Sequence, residues 1–451
     1  MSQINITHGA PQANGVHKVN SVQQSAVLHR HLHHDFLNVA RGEGHYLVLE
    51  DGRKLFDASG GAAVACIGHG NTKVNQAMME QIDKLSYCAS TFLKTPIVEE
   101  AGRMMKLARQ YFLEKVSPEP QRTRFISRYQ SYHGTTLGSL SMGGHAHRRA
   151  KFEPMLVDVI SKVSPCFAYR GKDDNESDES YVQRLALELD LEFQRVGPES
   201  VCAFVAEPVV GAALGCVPAV PGYFKAMQAV CKKHGALLIL DEVMSGMGRT
   251  GTYHAWQQEG VVPDIQTVGK GLGGGYQPVA GLLIHKKIVD ALEEGSGTFV
   301  HGHTYQGHAV GCAAIVAVQK TIQQGNLLAN VRAMGDLLEK LLRERLSSHP
   351  HVGDIRGRGL FWAIELVQDK ATKTPFPARD SVAMEISELA LTDRYSMMVY
   401  PGAGTADGVN GDHIILAPPY TVTAEEVEHI VQTVSRVIVD YFSQRSSKAH
   451  L

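Results

Sequence analysis

Two charged residues stand where buried strands are expected to end. Ala236 to Leu240 (ALLIL) runs into Asp241, and Asp264-Ile-Gln-Thr-Val-Gly269 runs into Lys270. An acid and an amine delivered to one edge of a parallel sheet suit pyridoxal phosphate, whose aldehyde takes a lysine and whose ring nitrogen takes a carboxylate. Each residue also has a plainer reading. A Lys in a glycine-rich loop is usually a solvated turn residue, and an Asp after an apolar strand is often a helix cap. The pair makes an enzyme the leading expectation.

The elements that must position the pair follow from the pattern around it. From Arg122 onward apolar strands alternate with helical segments: TRFIS, a helix after Tyr132, VCAFVAEP (Val201 to Pro208), a helix from Pro221 to His234, then ALLILDEV, DIQTVGK and PVAGLLI. This alternation predicts βαβ units, hence an α/β fold with a mostly parallel sheet and a ligand site at the carboxyl ends of its strands. Glu207, Asp241 and Lys270 should collect there. Upstream, Tyr46–Leu49 and Lys54–Asp57 flank the turn signal Glu50-Asp51-Gly52 and read as a hairpin. Arg170 to Ser180 (RGKDDNESDES) reads as a surface loop. Beyond residue 325 come a long helix (Leu327 to Leu346), RGRGLFWAIEL, a short strand (His413 to Ala417) and a helix from Ala424 to Phe442. The expected organisation is an N-terminal segment and hairpin (1–60) packing with a smaller α+β domain (326–451), and a large cofactor-binding domain (61–325).

Composition narrows the partners. The chain has 451 residues, 44% hydrophobic and 20% charged, with a formal net charge of −2. There is no basic excess for nucleic acid or an anionic membrane, so small molecules are favoured. Seven scattered cysteines without CxxC spacing fit a reducing compartment, and neither a disulfide nor a zinc site is assigned. The first twenty residues lack an apolar core for secretion, and no apolar run would span a bilayer. A cytoplasmic protein is expected. The alternative is peroxisomal, because Ala449-His450-Leu451 has the pattern of a relaxed SKL-type address. The histidines at 29, 31, 33 and 34 do not share a helical face and read as a solvated segment rather than a metal site.

Gly269-Lys-Gly271-Leu-Gly-Gly274 matches the dinucleotide pattern G-x-G-x-x-G, but it leads through Tyr276, Gln277 and Pro278 into another strand instead of opening a helix. A lysine in a glycine collar explains the same residues better. SYHGTTLGSLS (131–141), VAEPVVGA (205–212), LILDEVMSGMGRTG (238–251), VGKGLGGGYQPVAG, HGHTYQGH (301–308), RGRGLFWAIEL and GDHIILAPPY (411–420) then resemble, in order, the class III aminotransferases. The resemblance implies the aspartate aminotransferase fold (fold type I) and pyridoxal phosphate. It implies a homodimer with shared sites that moves an amino group from an amine or ω-amino acid to a keto acid or aldehyde. By the same resemblance Lys270 holds the cofactor covalently and moves the proton, while Asp241 pairs with the ring nitrogen. Tyr132 and Val243 would cover the two ring faces, and His133 would support the site. Gly134 would allow a close backbone approach, and Thr304 would reach the neighbouring subunit's phosphate. Glu207 matches the family's active-site acid, or else partners Arg249.

The chain departs from the family pattern in three places. The family's S-G-S-E-A turn, whose serine and backbone N–H groups cradle the cofactor phosphate, is missing. Thr95-Pro-Ile-Val-Glu-Glu100 runs straight into Ala101, a gap on the order of twenty residues. The fused stretch from Thr95 to Phe112 still reads as one helix. An omission from the gene model is the favoured cause, and a cofactor-poor, non-catalytic relative is the rival. Met244 replaces a glutamine that would bond the cofactor's phenolic oxygen. Met398 to His413 contains no arginine to meet a substrate carboxylate, which favours an amine without an α-carboxylate. A decarboxylase, aminomutase or lyase on the same scaffold stays open beside the transaminase.

Overall fold

The Leu237–Asp241 strand sits in the middle of a six-stranded sheet and is buried along its whole length. Its side chains alternate between two cores, as a two-residue period requires. Leu238 and Leu240 join Phe204, Tyr181, Leu185, Leu189 and Phe193 under the helices Asp178–Val196 and Tyr223–Lys233. Leu237 and Ile239 face the other way, onto Leu107, Phe112 and Ile288 of the helices Met104–Glu114 and Lys286–Glu294. A strand covered on both faces has no polar side, which is why LLIL reads as an unbroken apolar run. These positions come from a computed structural model that describes residues 36–88, 104–302 and 304–449. The histidine cluster at 29–34, the stretch from Thr95 through the Glu100–Ala101 junction, and His450-Leu451 lie outside the described residues.

The strand order across the sheet is Gly281–Ile284, Ile265–Val268, Leu237–Asp241, Val201–Ala206, Arg124–Arg128, Ile160–Val163. All neighbours are parallel except the first pair. Only a short turn-rich connection separates Val268 from Gly281, too little chain for a helical crossover, so PVAGLLI returns antiparallel as an edge. The carboxyl ends of Val201–Ala206, Leu237–Asp241 and Ile265–Val268 therefore share one edge, and Glu207, Asp241 and Lys270 lie there.

The hairpin pairs Tyr46–Leu49 with Lys54–Asp57, as its turn signal predicts. Val39–Glu43 extends it on one side and Met397–Met398 on the other. Phe56 of the hairpin shares a core with Leu338, Met397 and Ile430, so the hairpin is packed with the C-terminal segment. RGRGLFWAIEL breaks after Arg358 into two antiparallel strands, Val352–Arg358 and Phe361–Asp369, followed across the sheet by Asp412–Leu416 and Tyr400–Ala403. The last helix runs from Ala424 to Ala449, past the expected end at Phe442. The expected loop at 170–180 is shorter than its polarity implies. Ala168–Gly171 is helical, and Ser177 caps the helix that starts at Asp178.

Buried Glu365 joins the sheets to the site. It forms ion pairs with Arg170 and Arg356, each at 2.5 Å. Arg356 also donates to the carbonyls of Leu214 and Gly215 and so holds the segment after Glu207. Residues from Val39 onward make one compact unit. Among the described residues no helix is long and apolar enough to cross a membrane, and no cluster of His, Cys, Asp or Glu could hold a metal.

Candidate active site

Asp241 ends its strand with a buried side chain whose two oxygens are both engaged. Oδ1 accepts from the Val243 N–H at 3.1 Å and the Thr267 hydroxyl at 2.8 Å, and Oδ2 lies 2.7 Å from His133 Nδ1. Burial alone would raise this carboxyl. The hydrogen bond and charge of His133, with the Val243 amide and Thr267, hold it below the usual range. Asp241 thus stays ionised inside the fold. Thr267 reaches it because the parallel register sets the two residues side by side.

Lys270 follows its strand in a single 3-10 turn, Lys270–Leu272, with φ +45°. A left-handed lysine costs backbone energy, and such strain gathers where a side chain must be aimed. Burial pushes its amine down to about 8, against the pull of Asp241 and Glu207 toward the cation. Nζ has no hydrogen-bond partner among the described residues.

Glu207 is buried and its carboxyl is raised, first by burial and further by Asp241, with His133 opposing. Its oxygens accept from the N–H groups of Tyr132 at 3.1 Å and Gly211 at 3.2 Å. It does not pair with Arg249, the alternative raised by the sequence. Arg249 Nη1 is spent on the carbonyls of Leu360 (3.0 Å) and Pro418 (2.6 Å), and its guanidinium lies over Tyr420. That arginine is a clamp between the large sheet and the C-terminal segment.

The remaining candidates divide. His133 belongs to the cluster through Asp241, and its buried Nε2 has no hydrogen-bond partner among the described residues. Gly134 has φ +121°, and a Cβ there would come within 3.0 Å of Ser139, so this turn requires glycine. Val243 lies in the turn after the strand, with its methyls toward Gly269. Met244 packs into an apolar cluster with Phe361 and Val209. Thr304 is exposed in the turn before the Ala309–Gln324 helix, and among the described residues no hydrogen bond joins it to the cluster. Two residues were missed from sequence: Thr267, which strand pairing could have found, and Arg148. The Arg148 guanidinium lies 5.0 Å from the centre of the Tyr132 ring.

The chain resembles known proteins through most of its length. The family model for class III aminotransferases matches residues 27–105 and 98–438. An aminotransferase of Gibberella zeae is 50% identical over 446 positions, covering 93% of this chain and 87% of the relative. An uncharacterized aminotransferase of Schizosaccharomyces pombe is 46% identical over 423 positions, covering 89% of this chain and 92% of the relative. Among solved structures, an amine transaminase from an uncultivated Pseudomonas species in a PLP-bound form superposes with a TM-score of 0.85. It has 29% identity and covers 94% of this chain and 99% of the other. Because 93% of 451 residues is about 419, about 27 of the 446 positions aligned with the Gibberella relative have no residue here. The family model matches in two separate stretches that overlap at 98–105, around the Glu100–Ala101 junction. With matches through nearly its whole length, the chain belongs to the class III aminotransferases, whose cofactor is pyridoxal phosphate and whose reaction is transamination.

Proposed function

We propose that the chain moves an amino group from an amine or ω-amino acid to a keto acid or aldehyde, with Lys270 as the covalent and proton-carrying residue. The observation that carries this is a buried, ionised Asp241 within electrostatic reach of a lysine whose amine is lowered to about 8. The ring end of pyridoxal phosphate fits these residues. Asp241 keeps its negative charge and spare acceptor capacity at Oδ2, and Lys270 Nζ is uncommitted. When bound, the cofactor supplies an aldehyde that takes up amines and a ring that draws electrons from the bond being broken. Lys270 would hold that aldehyde until a substrate amine displaces it. Its freed Nζ would then carry the proton off the substrate carbon. Asp241 would keep the ring nitrogen protonated, with His133 donating Nδ1–H to stabilise the carboxylate. Tyr132 and Val243 would flank the ring, and Glu207 fixes Tyr132 through its backbone.

The lowered amine gives a direct test. With a value near 8, roughly one Lys270 in four is neutral at pH 7.5, against about one in a thousand at the ordinary 10.5. Borohydride fixation of pyridoxal phosphate on Lys270, followed by peptide mass spectrometry, should rise with pH about a midpoint near 8 and vanish in Lys270→Ala. Absence of the adduct at saturating cofactor would sink the enzymatic reading.

A homodimer with shared sites belongs to the same proposal. Supporting it, Met79, Ile82, Tyr87, Val300 and Tyr305 are exposed, and the rings of Tyr87 and Tyr305 meet at 5.9 Å beside exposed Thr304. Tyr305→Asp is expected to raise the dimer dissociation constant about 10- to 100-fold in sedimentation; a wild type that is monomeric at micromolar concentration would refute this. One observation favours the rival reading of a cofactor-poor, non-catalytic relative: the aligned positions of the Gibberella relative that have no residue here, together with the division of the family match at 98–105.

A further inference from the structure

A keto acid brings a carboxylate next to its carbonyl carbon, and transfer to it needs a cation near the reacting end of the site. The loop from Met398 to His413 contains neither arginine nor lysine. We infer that Arg148 receives the acceptor's carboxylate and thereby sets the preference for keto acids over neutral aldehydes. This inference rests on the transaminase reading above.

Arg148 lies on the one-turn helix Ala146–Arg149, and its neighbour shows the contrast. Arg149 is fully committed: Nη1 donates to the carbonyls of Leu140 (2.9 Å), Ser141 (2.8 Å) and Gly143 (2.9 Å), and Nη2 to Glu153 (2.8 Å). Arg148 turns to the other side. Half-buried, it rests its guanidinium over the Tyr132 ring, with no acid and no hydrogen-bond acceptor among the described residues. A guanidinium on an aromatic face keeps its edge N–H groups free, and that edge is the fork that fits a carboxylate.

Tyr132 ties the cation to the reacting groups. Its N–H is fixed by Glu207, and the next residue, His133, bonds Asp241. The arginine-free loop reaches the same place. Gln130 Nε2 donates to the Thr405 carbonyl at 3.0 Å, and a Cβ on Gly408 would lie 3.3 Å from the Ala146 Cβ. Of the two acids on that loop, Asp407 accepts from the N–H groups of Val409 and Asn410 and Asp412 from that of Ala383, neither from Arg148. The other arginines near the site do not compete. Arg128 and Arg249 are fully buried and bonded to carbonyls, so substrate cannot meet them. The uncompensated charge of Arg148 is also felt by its buried neighbour His145, pushed down to about 4 by burial and then by Arg148.

The test compares acceptors and adds a measurement that needs no turnover. With pyruvate and propanal as acceptors, Arg148→Gln should lower the ratio of kcat/KM for pyruvate to that for propanal about 10- to 100-fold, and Arg148→Lys should restore part of it. A ratio that does not move, or equal losses on both acceptors, would overturn the assignment and leave Arg148 a support for Tyr132. Calorimetric titration of pyruvate into the full-length protein should show binding weakened about 10- to 100-fold in Arg148→Gln at an unchanged melting temperature. Arg148-dependent pyruvate binding in a protein that turns over no acceptor would keep the assignment and reject the transaminase reading. A wild type that binds no pyruvate rejects the assignment itself.

Discussion

Asp241→Asn is expected to lower amino transfer roughly 100- to 1,000-fold, the scale of losing one preorganised partner of a developing charge. The same change should make Lys270 easier to trap. The amide is nearly the same shape, and its oxygen can keep the bonds from the Val243 N–H and Thr267, so the turn after the strand should hold. What disappears is the negative charge. Without it the ring nitrogen of the cofactor loses the group that would keep it protonated. Lys270 loses the stronger of the two acids that oppose burial, so its amine falls below the present value of about 8. At pH 7 more of it is neutral, and borohydride fixation on Lys270 should be faster in the variant while kcat falls. A variant in which fixation and turnover fall together, with an unchanged melting temperature, would mean that Asp241 acts on Lys270 placement instead of on the ring.

The opposite directions of those two effects come from a cluster that was partly legible in the sequence. Asp241, Lys270 and Glu207 could be read because buried parallel strands are apolar to their ends, so a charge directly after ALLIL, TVG or VCAFVA stands out. The hairpin was equally plain, since Glu50-Asp51-Gly52 interrupts two short apolar runs. Val39–Glu43 carried no such signal, because its side chains are largely exposed and do not alternate. The pairing of Arg249 with Glu207, one of two readings the sequence left open, is not the one the fold makes. The partners of Arg249 are carbonyls more than a hundred residues away, and backbone acceptors leave no mark in sequence. Arg148 was invisible for a related reason. Gly143-Gly144 ends the preceding helix, and a Cβ at Gly144 would strike the Arg128 carbonyl at 2.6 Å. That break sets the short helix beside Tyr132, so which of two adjacent arginines faces the ring depends on tertiary contact, not spacing. The missing loop arginine points to amines without a carboxylate, and the cation proposed for the acceptor lies on a different element.

Cofactor affinity is where this chain should differ most from its relatives. A phosphate cradle contributes charge-assisted hydrogen bonds of about 1.5 to 3 kcal/mol each, so losing two or three weakens binding by at least about 100-fold. The Gibberella relative carries about 27 aligned positions that this chain lacks, and the family model matches in two stretches that meet and overlap at 98–105. A chimera that inserts the corresponding Gibberella zeae residues between Glu100 and Ala101 should therefore bind pyridoxal phosphate at least about 100-fold more tightly than this chain. Pyridoxal without its phosphate separates the causes. In this chain pyridoxal and pyridoxal phosphate should bind alike, because the ring-end residues Lys270, Asp241 and Tyr132 supply most of the hold. In the chimera the phosphorylated form should win by the full factor, and inorganic phosphate should compete. Equal, tight binding of pyridoxal phosphate by both proteins would show that other groups, from this subunit or a second copy, already grip the phosphate. Detection in the native protein of a peptide crossing Glu100-Ala101 would assign weak binding to the working enzyme. Its replacement by a longer peptide would return the cradle and leave the chemistry of Lys270 and Asp241 with a fully held cofactor.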